Sequence, residues 1–320
     1  MTALVTGASG FLGRPLVRAL LDAGRPVVAL CRDPAPLSDL RRPALEIVSG
    51  DLRDPASYSP WLASGVSVFH LAALRNHPRC RDSEMEEVNV GVTVELARRS
   101  LAAGVARFVH VSTALVHSPS DGAGGEDAPH SLYVESKARA GREVRRLAAL
   151  GLPAVVVSPT IVFGPDHPSH PNRVTSEIRR LLRTRVVRVV GGGRQARNLV
   201  YVDDVVRGLL AAERLGAVGE EYLLGGEEIA PLDFGPLVLS LAGLKPRATL
   251  SLPAGPVLAL AHFADFLRRS DPGSGYSTAV QTLLREWRFG SERARRDLDY
   301  RALSLVEGLT QTIDWLRTSQ

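Results

Sequence analysis

The stretch ALVTGASGFLG, residues 3–13, decides the fold of this chain. A short apolar strand pattern leads into Gly7, Gly10 and Gly13, and the helical periodicity of FLGRPLVRALLDAG (11–24) follows. Glycine allows a sharp turn and a close approach of the backbone to a pyrophosphate, whose charge then lies at a helix N-terminus. The spacing is a variant of the G-x-G-x-x-G fingerprint. We therefore expect a dinucleotide to bind here.

The first half of the chain repeats this alternation of strand and helix. Strands that are apolar throughout and separated by helices are typical of a parallel sheet covered on both faces. Right-handed crossovers then give an α/β fold with a Rossmann-type doubly wound parallel sheet. The further apolar runs are VVALC (27–31), LEIV (45–48), VSVFHLAA (66–73), RFVHVST (107–113) and AVVVSP (154–159).

The later part of the chain is less regular. LVYVDDVVRGLLAAERL (199–215) predicts a strand and a helix with Asp203 or Asp204 as N-cap, whereas 160–195 shows no clear period. Residues 118–131 predict a long loop that serves the site, and LVEGLTQTIDWLR (305–317) predicts a closing helix. We expect a dinucleotide-binding Rossmann domain of 1–158 and 196–220, and a smaller mixed α/β substrate-binding lobe of 159–195 and 221–320.

Charge and composition argue against several classes of protein. The chain has 39 Lys plus Arg against 34 Asp plus Glu, but the arginines are dispersed among acids, so we expect no nucleic-acid partner.

Without a membrane-length apolar run or the basic region of a signal peptide, we expect a cytoplasmic protein with no membrane partner. Cys31 and Cys80 fit a reducing compartment. His167 and His170 each precede a proline and lack a third ligand nearby, so no metal is expected.

The end of the second strand bears on the choice of cofactor. A carboxylate there bonds the ribose 2′-hydroxyl of NAD, whereas an arginine accommodates the 2′-phosphate of NADP. Arg32 comes first, and Asp33 precedes Pro34, which we expect to turn its side chain away. NADP(H) is therefore favoured, with NAD(H) as the alternative if Arg32 is only a surface residue.

Lysine is rare in this chain. Of the 39 Lys plus Arg, only Lys137 and Lys245 are lysines, and Lys137 follows Tyr133 by four residues, on the same face of a helix. A phenol with a pKa of about 10 becomes a useful acid or base at neutral pH when a cation stabilises its phenolate. The compact ammonium of lysine suits that task better than the planar fork of arginine. We expect this pair to carry acid–base chemistry.

Eight motifs now occur in one order. The sequence resembles the extended short-chain dehydrogenase/reductase family, the NAD-dependent epimerase/dehydratase-like group, over nearly its whole length. Within that family RDP (32–34), WRFGSERARRDL (287–298) and LPAGPVLALAHFADFL (252–267) are most similar to the dihydroflavonol-reductase and 3β-hydroxysteroid-dehydrogenase branch. The motifs are TGASGFLG (6–13), GDLRDP (50–55), HLAA (70–73), NVGVT (89–93), VST (111–113), YVESK (133–137), SPTIVFGP (158–165) and RNLVYVDD (197–204).

The resemblance implies roles at the matching positions. Tyr133 would be the catalytic acid/base, and Lys137 its pKa-lowering partner and ligand of the nicotinamide ribose. Thr113 would hold the substrate oxygen, Asn89 would be structural or part of a proton relay, and Asp51 would bond the adenine. The implied cofactor-binding residues are Gly7, Ser9, Gly10, Phe11, Leu12, Gly13, Arg32, Asp51, Leu52, Leu71, Ala72, Ala73, Val111, Tyr133, Lys137, Pro159, Ile161 and Val162.

Three further positions bear on the substrate. His117 stands where many nucleotide-sugar members of the family have Tyr, and Ser158 where they have Arg. Arg197 matches an arginine that binds a diphosphate in those enzymes, although here it could form a salt bridge instead. The first two departures put a nucleotide-sugar substrate in doubt, while His117, Ser158 and Arg197 are the candidate substrate contacts.

The resemblance implies an NAD(P)H-dependent ketoreductase or dehydrogenase. Its substrate would be a carbonyl or secondary alcohol of a bulky, fairly apolar small molecule, such as a steroid-, flavonoid- or polyketide-like compound. The alternatives are a nucleotide-sugar 4-epimerase or dehydratase with tightly bound NAD, a steroid-type isomerase coupled to dehydrogenation, and a non-catalytic dinucleotide sensor. Many relatives pair through four helices that include the Tyr133 helix, so a homodimer is one expected assembly.

Overall fold

A computed structural model describes residues 1–75, 81–117, 131–268 and 275–319. The strands in chain order are β1 (Ala3–Thr6), β2 (Val27–Cys31), β3 (Leu45–Ser49), β4 (Ser67–His70), β5 (Arg107–Val111), β6 (Ala154–Pro159), β7 (Ile161–Phe163), β8 (Val186–Val190), β9 (Arg197–Tyr201), β10 (Glu221–Leu224), β11 (Glu227–Ile229) and β12 (Ala248–Leu252). The α-helices are α1 (Gly13–Asp22), α2 (Asp82–Glu86), α3 (Thr93–Ala102), α4 (Leu132–Ala149), α5 (Arg173–Thr184), α6 (Val202–Leu215), α7 (Pro231–Leu241), α8 (Ala254–Arg268), α9 (Tyr276–Leu284), α10 (Glu292–Leu298) and α11 (Leu305–Thr318).

A seven-stranded parallel sheet forms the centre of the molecule. Its order is β3–β2–β1–β4–β5–β6–β10, so the chain moves outward in one direction from β1 and then returns to continue from β4 on the other side. The order therefore reverses between β1 and β4, and such a switch point leaves a crevice at the carboxyl ends of the strands. The predicted Rossmann-type α/β fold is confirmed.

Helices cover both faces of this sheet. On one face, Leu16 and Leu20 of α1 pack with Val205 and Leu209 of α6. On the other face, helices α3 and α4 supply residues such as Leu96 and Val144 to a second core cluster. The inner strands β1, β2, β4, β5 and β6 are almost completely buried, which explains why they are largely apolar.

The edge strand β10 of the main sheet lies just beyond the expected end of the dinucleotide-binding domain. Residues Glu221–Leu224 pair in parallel with β6, and the buried Tyr222 and Leu224 belong to the core of the main sheet. The dinucleotide-binding domain was expected to end at residue 220, whereas this pairing places the sheet's edge strand just beyond it. A strand of four residues gives too short an apolar run to be distinguished by its pattern.

The region from about 160 to 195 is more regular than its sequence pattern indicates. It contains β7, α5 and β8, and α5 begins where the Asn172 side chain accepts hydrogen bonds from the backbone amides of Val174 (2.9 Å) and Thr175 (3.1 Å). The expected aspartate cap of α6 was wrong. Its N-cap is Tyr201, and Asp203 and Asp204 lie in the first turn, where acids interact favourably with the helix dipole.

Two smaller sheets accompany the main one. They have the orders β11–β9–β7 and β12–β8, and they pack with α5, α7 and α11. The predicted closing helix is present as α11, whose Ser304 and Glu307 form a capping box. Residues 118–130 of the expected loop lie outside the described residues. Among the helices that can be examined, none is both long and apolar enough to cross a membrane.

A π-helical turn lies between α2 and α3. It comprises Glu87–Val92, joins the two α-helices without a break, and contains the buried Asn89. π-turns of this kind are rare and occur frequently at functional sites.

Candidate active site

The glycine turn after β1 packs closely against the end of β4. Gly7 has a φ of +66°, and a Cβ at this residue would lie 2.8 Å from the Ala72 backbone nitrogen. A Cβ on Gly13 would lie 2.8 Å from the Ala8 Cα, so both positions require glycine. The Gly10 amide donates to the Gly7 carbonyl (3.0 Å) and closes the turn. The cradle fits a pyrophosphate at the N-terminus of α1.

At the end of β2, the Asp33 side chain is engaged by the backbone that follows it. Its carboxylate accepts a hydrogen bond from the Ala35 amide (3.0 Å), at the start of the 3-10 helix Ala35–Leu40, while Arg32 is exposed. Asp51, the candidate adenine ligand, is held by Arg53, whose guanidinium lies 2.6 Å from its carboxylate. The hydrogen bonds from Arg53 lower the pKa of Asp51 to about 2, and Arg32 adds to this effect.

The other candidate cofactor residues lie along the same edge of the sheet. Each lies in a strand of the main sheet or in β7, or in the loop that follows such a strand, and most are only partly buried. Ala72 is fixed by a hydrogen bond from its amide to the Thr6 hydroxyl (3.4 Å). This edge carries Ser9, Phe11 and Leu12 after β1, Leu52 after β3, Leu71 and Ala73 after β4, Val111 ending β5, Pro159 ending β6, and Ile161 and Val162 in β7.

Tyr133 and Lys137 lie one turn apart near the N-terminus of α4. Ser131 caps this helix with its hydroxyl, which accepts from the Val134 amide (3.5 Å). Burial raises the pKa of Tyr133, and the positive charge of Arg75 opposes part of that rise. Lys137 is only 2% exposed, and burial lowers its pKa to about 7. The pair thus combines a phenol with an ammonium group that titrates near neutral pH.

Asn89 fastens the end of β4 to α4. Its side-chain oxygen accepts from the Leu74 amide (2.7 Å), and its side-chain nitrogen donates to the Leu74 carbonyl (2.9 Å). The same nitrogen donates to the Ser136 hydroxyl (2.9 Å), beside Lys137. These contacts join the segment after β4 to the helix that carries Tyr133.

Thr113 lies just beyond the end of β5 and is partly exposed. Its hydroxyl accepts from the Leu115 amide (3.4 Å) and caps the 3-10 turn Ala114–Val116. Since the parallel strands end at one edge, Thr113 reaches the same crevice as the glycine turn and the end of β4.

Two buried histidines lie side by side beneath this edge. His70 and His110 are paired in register on β4 and β5, with ring centroids 5.5 Å apart. Thr93 donates to the Asn89 carbonyl (2.8 Å), so the Nε2 of His70 must be the donor in its contact with Thr93 (2.9 Å). Burial and the charge of Lys137 lower the pKa of His70 to about 3 and that of His110 well below its usual value. Both rings are therefore neutral.

His117 and Ser158 meet at a third residue. The Nε2 of His117 (2.8 Å) and the hydroxyl of Ser158 (2.6 Å) both bind the carboxylate of Glu221 at the start of β10. Arg145 of α4 forms an ion pair with the same carboxylate. Burial raises the pKa of Glu221, but the hydrogen bonds from His117 and Ser158 outweigh it, so the pKa is lowered overall. Glu221 in turn raises the pKa of His117.

Arg197 lies at the start of β9. Its guanidinium donates to the Leu283 carbonyl at the end of α9 (3.1 Å), and burial lowers its pKa. His170 donates its amide to the His167 carbonyl (2.8 Å), so the two residues form a small turn. Within the described ranges, no group of three or more His, Cys, Asp or Glu side chains is arranged to hold a metal ion.

Sequence reasoning missed two charged residues. Glu221 had no motif, and its partners His117 and Ser158 are 104 and 63 residues away in the chain. Arg75 follows the HLAA motif and is exposed, yet its charge acts on both Tyr133 and His170. The available signal for Arg75 was its place in the loop that follows the carboxyl end of β4.

Comparisons with known proteins agree with this geometry. A model of the NAD dependent epimerase/dehydratase family matches residues 3–225. The chain is 32% identical to the sterol demethylase protein B of Methylococcus capsulatus, with 99% of this chain and 98% of the relative covered. It is 30% identical to a 4-hydroxy-2-methyl-3-oxo-4-farnesyl-3,4-dihydroquinoline-1-oxide ketoreductase of Stigmatella aurantiaca, with 94% and 92% covered.

A solved structure extends the likeness to three dimensions. It is a double mutant of DesIV, a dTDP-glucose 4,6-dehydratase from Streptomyces venezuelae, with NAD and DAU bound. The TM-score is 0.76 at 27% sequence identity, and the match covers 99% of this chain and 97% of that one. The likeness therefore includes the small sheets and the C-terminal helices as well as the main sheet.

Proposed function

Because this chain belongs to the NAD dependent epimerase/dehydratase family and is an NAD(P)-dependent oxidoreductase, we propose that it acts as a ketoreductase or dehydrogenase. The substrate is the carbonyl or secondary alcohol of a bulky, fairly apolar small molecule. The observation that carries this proposal is the Tyr133–Lys137 pair on α4, with a buried lysine whose pKa is about 7, at the edge that holds the glycine turn.

The chain's own groups perform the proton transfer. Tyr133 donates its phenolic proton to the substrate oxygen during reduction and takes it back during oxidation. Lys137 stabilises the phenolate that forms, while the Thr113 hydroxyl orients the substrate oxygen. When bound, the nicotinamide supplies or accepts the hydride. Because the donors are fixed before reaction, little reorganisation is needed as charge develops.

NADP(H) is the proposed cofactor. Family members and the similar dehydratase structure use or bind NAD, so a nicotinamide dinucleotide is common to them. The preference for the phosphorylated form rests on Arg32, which is exposed at the end of β2, and on Asp33, whose carboxylate is engaged by the Ala35 amide. An arginine at this place can pair with a 2′-phosphate.

Two observations support an apolar substrate. The relatives named above are a ketoreductase of a farnesylated quinoline and a protein of sterol demethylation. In addition, the three candidate substrate contacts already have hydrogen-bond partners within the chain. His117 and Ser158 bind the Glu221 carboxylate, and Arg197 donates to the Leu283 carbonyl. We further infer that the lobe outside the main sheet binds the substrate, and that a homodimer would form through an interface that includes α4, the Tyr133 helix.

The main alternative is a nucleotide-sugar epimerase or dehydratase. It is favoured by the likeness to the dTDP-glucose 4,6-dehydratase structure over nearly the whole chain. Such an enzyme returns the hydride to its own substrate, so it consumes no cofactor and retains it tightly.

One experiment separates the two functions. The purified protein is denatured, any released dinucleotide is identified, and NADPH and NADH oxidation are then followed with a panel of steroid, flavonoid and alkyl ketones. An empty or freely exchanging protein that oxidises NADPH with an apolar ketone supports the reductase. Stoichiometric retained NAD, together with no net oxidation, would overturn it in favour of the epimerase or dehydratase.

A further inference from the structure

A series of buried polar side chains is hydrogen-bonded beneath the crevice. It begins at the Ala72 amide, which donates to the Thr6 hydroxyl (3.4 Å). The Thr6 hydroxyl lies 2.8 Å from Nδ1 of His70, and Nε2 of His70 lies 2.9 Å from the Thr93 hydroxyl. Thr93 then donates to the Asn89 carbonyl in the π-turn (2.8 Å). We name Thr6, His70 and Thr93 the buried network.

The hydrogen bonds of the buried network all run in one direction. Because Thr93 uses its proton on the Asn89 carbonyl, Nε2 of His70 is the donor to Thr93. The His70 ring is neutral, since burial lowers its pKa to about 3, so Nδ1 accepts from the Thr6 hydroxyl. One tautomer of His70 therefore serves both neighbours, and hydrogen bonds aligned in this way strengthen one another.

The two ends of the buried network lie at the two halves of the site. At one end, the Ala72 backbone packs closely against the Gly7 turn, where a Cβ on Gly7 would lie 2.8 Å from the Ala72 nitrogen. At the other end, the Asn89 side chain donates to the Ser136 hydroxyl (2.9 Å), which donates to the Tyr133 carbonyl (2.9 Å). These contacts connect the glycine turn with the first turn of the helix that carries the phenol.

Burial makes the buried network resistant to displacement. Thr6 and His70 are fully buried, and Thr93 is only 1% exposed, so water cannot easily replace a lost partner. A buried donor or acceptor without a partner costs the full penalty of its desolvation. Apolar packing is non-directional, whereas these hydrogen bonds fix both distance and angle between β1, β4 and α3.

The buried network is suited to positioning and not to proton transfer. It begins at a backbone amide and leads to backbone carbonyls, which are hydrogen-bonding groups and not acids or bases at neutral pH. It reaches Tyr133 at the carbonyl oxygen, not at the phenol. A misplacement of about 1 Å in a catalytic group can lower a rate by on the order of a hundredfold.

We propose that His70 and Thr93 are positioning residues. Through Asn89 they fix the helix that carries Tyr133 against the glycine turn, so that the phenol keeps one position relative to the cofactor-binding turn. This inference rests on the proposed function, because that function gives Tyr133 its part as acid and base.

Thr93→Val tests the buried network with little change in shape. It replaces the hydroxyl by a methyl group and leaves Nε2 of His70 without its acceptor, whereas Thr93→Ser keeps the hydroxyl. Thr312→Val is the matched control, because Thr312 is fully buried and its hydroxyl donates to the carbonyl of Gly308, four residues earlier in α11 (2.8 Å). A thermal melt verifies that the three variants are folded.

The first readout is NMR, which needs no substrate. With isotopically labelled histidine rings, His70 of the wild type should be the neutral tautomer protonated at Nε2. With tyrosines labelled at Cζ and NADPH bound, the Tyr133 signal is assigned by its absence in Tyr133→Phe. We expect Thr93→Val to move this signal, and Thr93→Ser and Thr312→Val to leave it in place. An Nδ1-protonated His70, or a Tyr133 signal that Thr93→Val leaves unmoved, would overturn the proposal.

The second readout is turnover of a ketone that the wild type reduces. In Thr93→Val, kcat should fall by about tenfold to a hundredfold, while the Kd for NADPH stays close to that of the wild type and Thr93→Ser retains most of the rate. An equal loss in Thr312→Val would show a general packing effect and overturn the proposal. If no ketone is reduced but only Thr93→Val moves the Tyr133 signal, the proposed function fails and the positioning role stands.

Discussion

At the scale of single residues, Lys137 is the most consequential side chain of the site. It is 2% exposed, and its burial explains a pKa of about 7. A buried ammonium is costly to the folded protein, and in the proposed mechanism this ammonium stabilises the phenolate of Tyr133. Function and stability are therefore opposed at this position.

Tyr133→Phe removes the phenolic proton and keeps the ring. Turnover should fall by on the order of a hundredfold or more, because the proton transfer is lost, while dinucleotide binding stays intact. Steady-state kinetics and a fluorescence titration with NADPH measure the two effects. Tyr222→Phe is the control and should give wild-type turnover, since the Tyr222 hydroxyl accepts from the Ala217 amide (2.9 Å), before the amino end of β10 and away from the crevice. Near-normal turnover in Tyr133→Phe would contradict the assignment.

Lys137→Met should stabilise the protein and inactivate it. Lys137 is charged in both the folded and the unfolded state below pH 7, so the whole cost of burial is present there. Between about 7 and the ordinary lysine pKa of 10.5 the folded state loses its proton first, and the cost declines with rising pH. We expect a gain of on the order of 1–3 kcal/mol at pH 6 that shrinks towards pH 10. Urea denaturation at both pH values is the measurement, and a gain that grows with pH would refute it.

The sequence alone suggests the candidate acid–base pair, but it does not reveal the contacts that surround it. Tyr133 and Lys137 are linked by the helical spacing of four residues, which is visible in the sequence alone. Glu221, in contrast, is brought to His117 and Ser158 by the pairing of β10 with β6. Contacts of this kind depend on tertiary structure, so no local pattern contains them.

At the scale of elements, the glycine turn requires two close approaches of backbone. Gly7→Ala would place a Cβ 2.8 Å from the Ala72 nitrogen at a positive φ, so we expect dinucleotide affinity to fall at least about tenfold and stability to fall by about 1–3 kcal/mol. Gly91→Ala is the matched control, because a Cβ at Gly91 would have no other side chain or distant backbone atom within 4 Å. Isothermal titration with NADPH and a thermal melt check both variants. Equal losses in the two would show that general helix or turn effects, not the close approach, are responsible.

The contact between His117 and Glu221 joins the end of the β5 turn to β10. Since the pKa of His117 is raised, its contribution to stability is full below its ordinary value of 6.5 and is lost as the pH rises through its folded value. His117→Gln should therefore destabilise the protein more at pH 5.5 than at pH 8.5. The difference is on the order of 0.5 kcal/mol, because the His117 side chain is 41% exposed.

The stability of His117→Gln is best measured by urea denaturation, in a double-mutant cycle with Glu221→Gln. If the pair is the cause, His117→Gln in the Glu221→Gln background should lose its dependence on pH. A pH dependence that persists in that background would assign the effect to another group.

The elements themselves were predictable to different degrees. The observed β2 and β6 coincide with the apolar runs 27–31 and 154–159, because strands buried on both faces leave an uninterrupted pattern. Helix α5 was not anticipated, since RVTSEIRRLLRT is largely polar and follows a segment rich in proline and histidine. Its capping residue, Asn172, was the overlooked signal.

At the scale of the whole molecule, cofactor binding should stabilise the chain as a unit. At a concentration of 100 Kd, a ligand of the folded state adds about 2.7 kcal/mol, which corresponds to several degrees in Tm for a protein of this size. We expect NADPH to raise the Tm more than equimolar NADH, because Arg32 can pair with the 2′-phosphate. Arg32→Ala should abolish that difference, as measured by differential scanning fluorimetry. A larger shift with NADH in the wild type would reverse the cofactor preference.

The π-turn at Glu87–Val92 has a consequence for how this helix tolerates changes in length. A π-turn accommodates one residue more than an α-turn, so removal of one residue there would leave a continuous α-helix of nearly the same length. The helices on either side would keep their relative orientation, because the wide turn is what absorbs the extra residue, but the side chains inside the turn would point in new directions. Asn89 would then swing away from Leu74 and Ser136 although its identity was unchanged. The direction of the Asn89 side chain therefore depends on the number of residues in the turn as well as on the identity of residue 89.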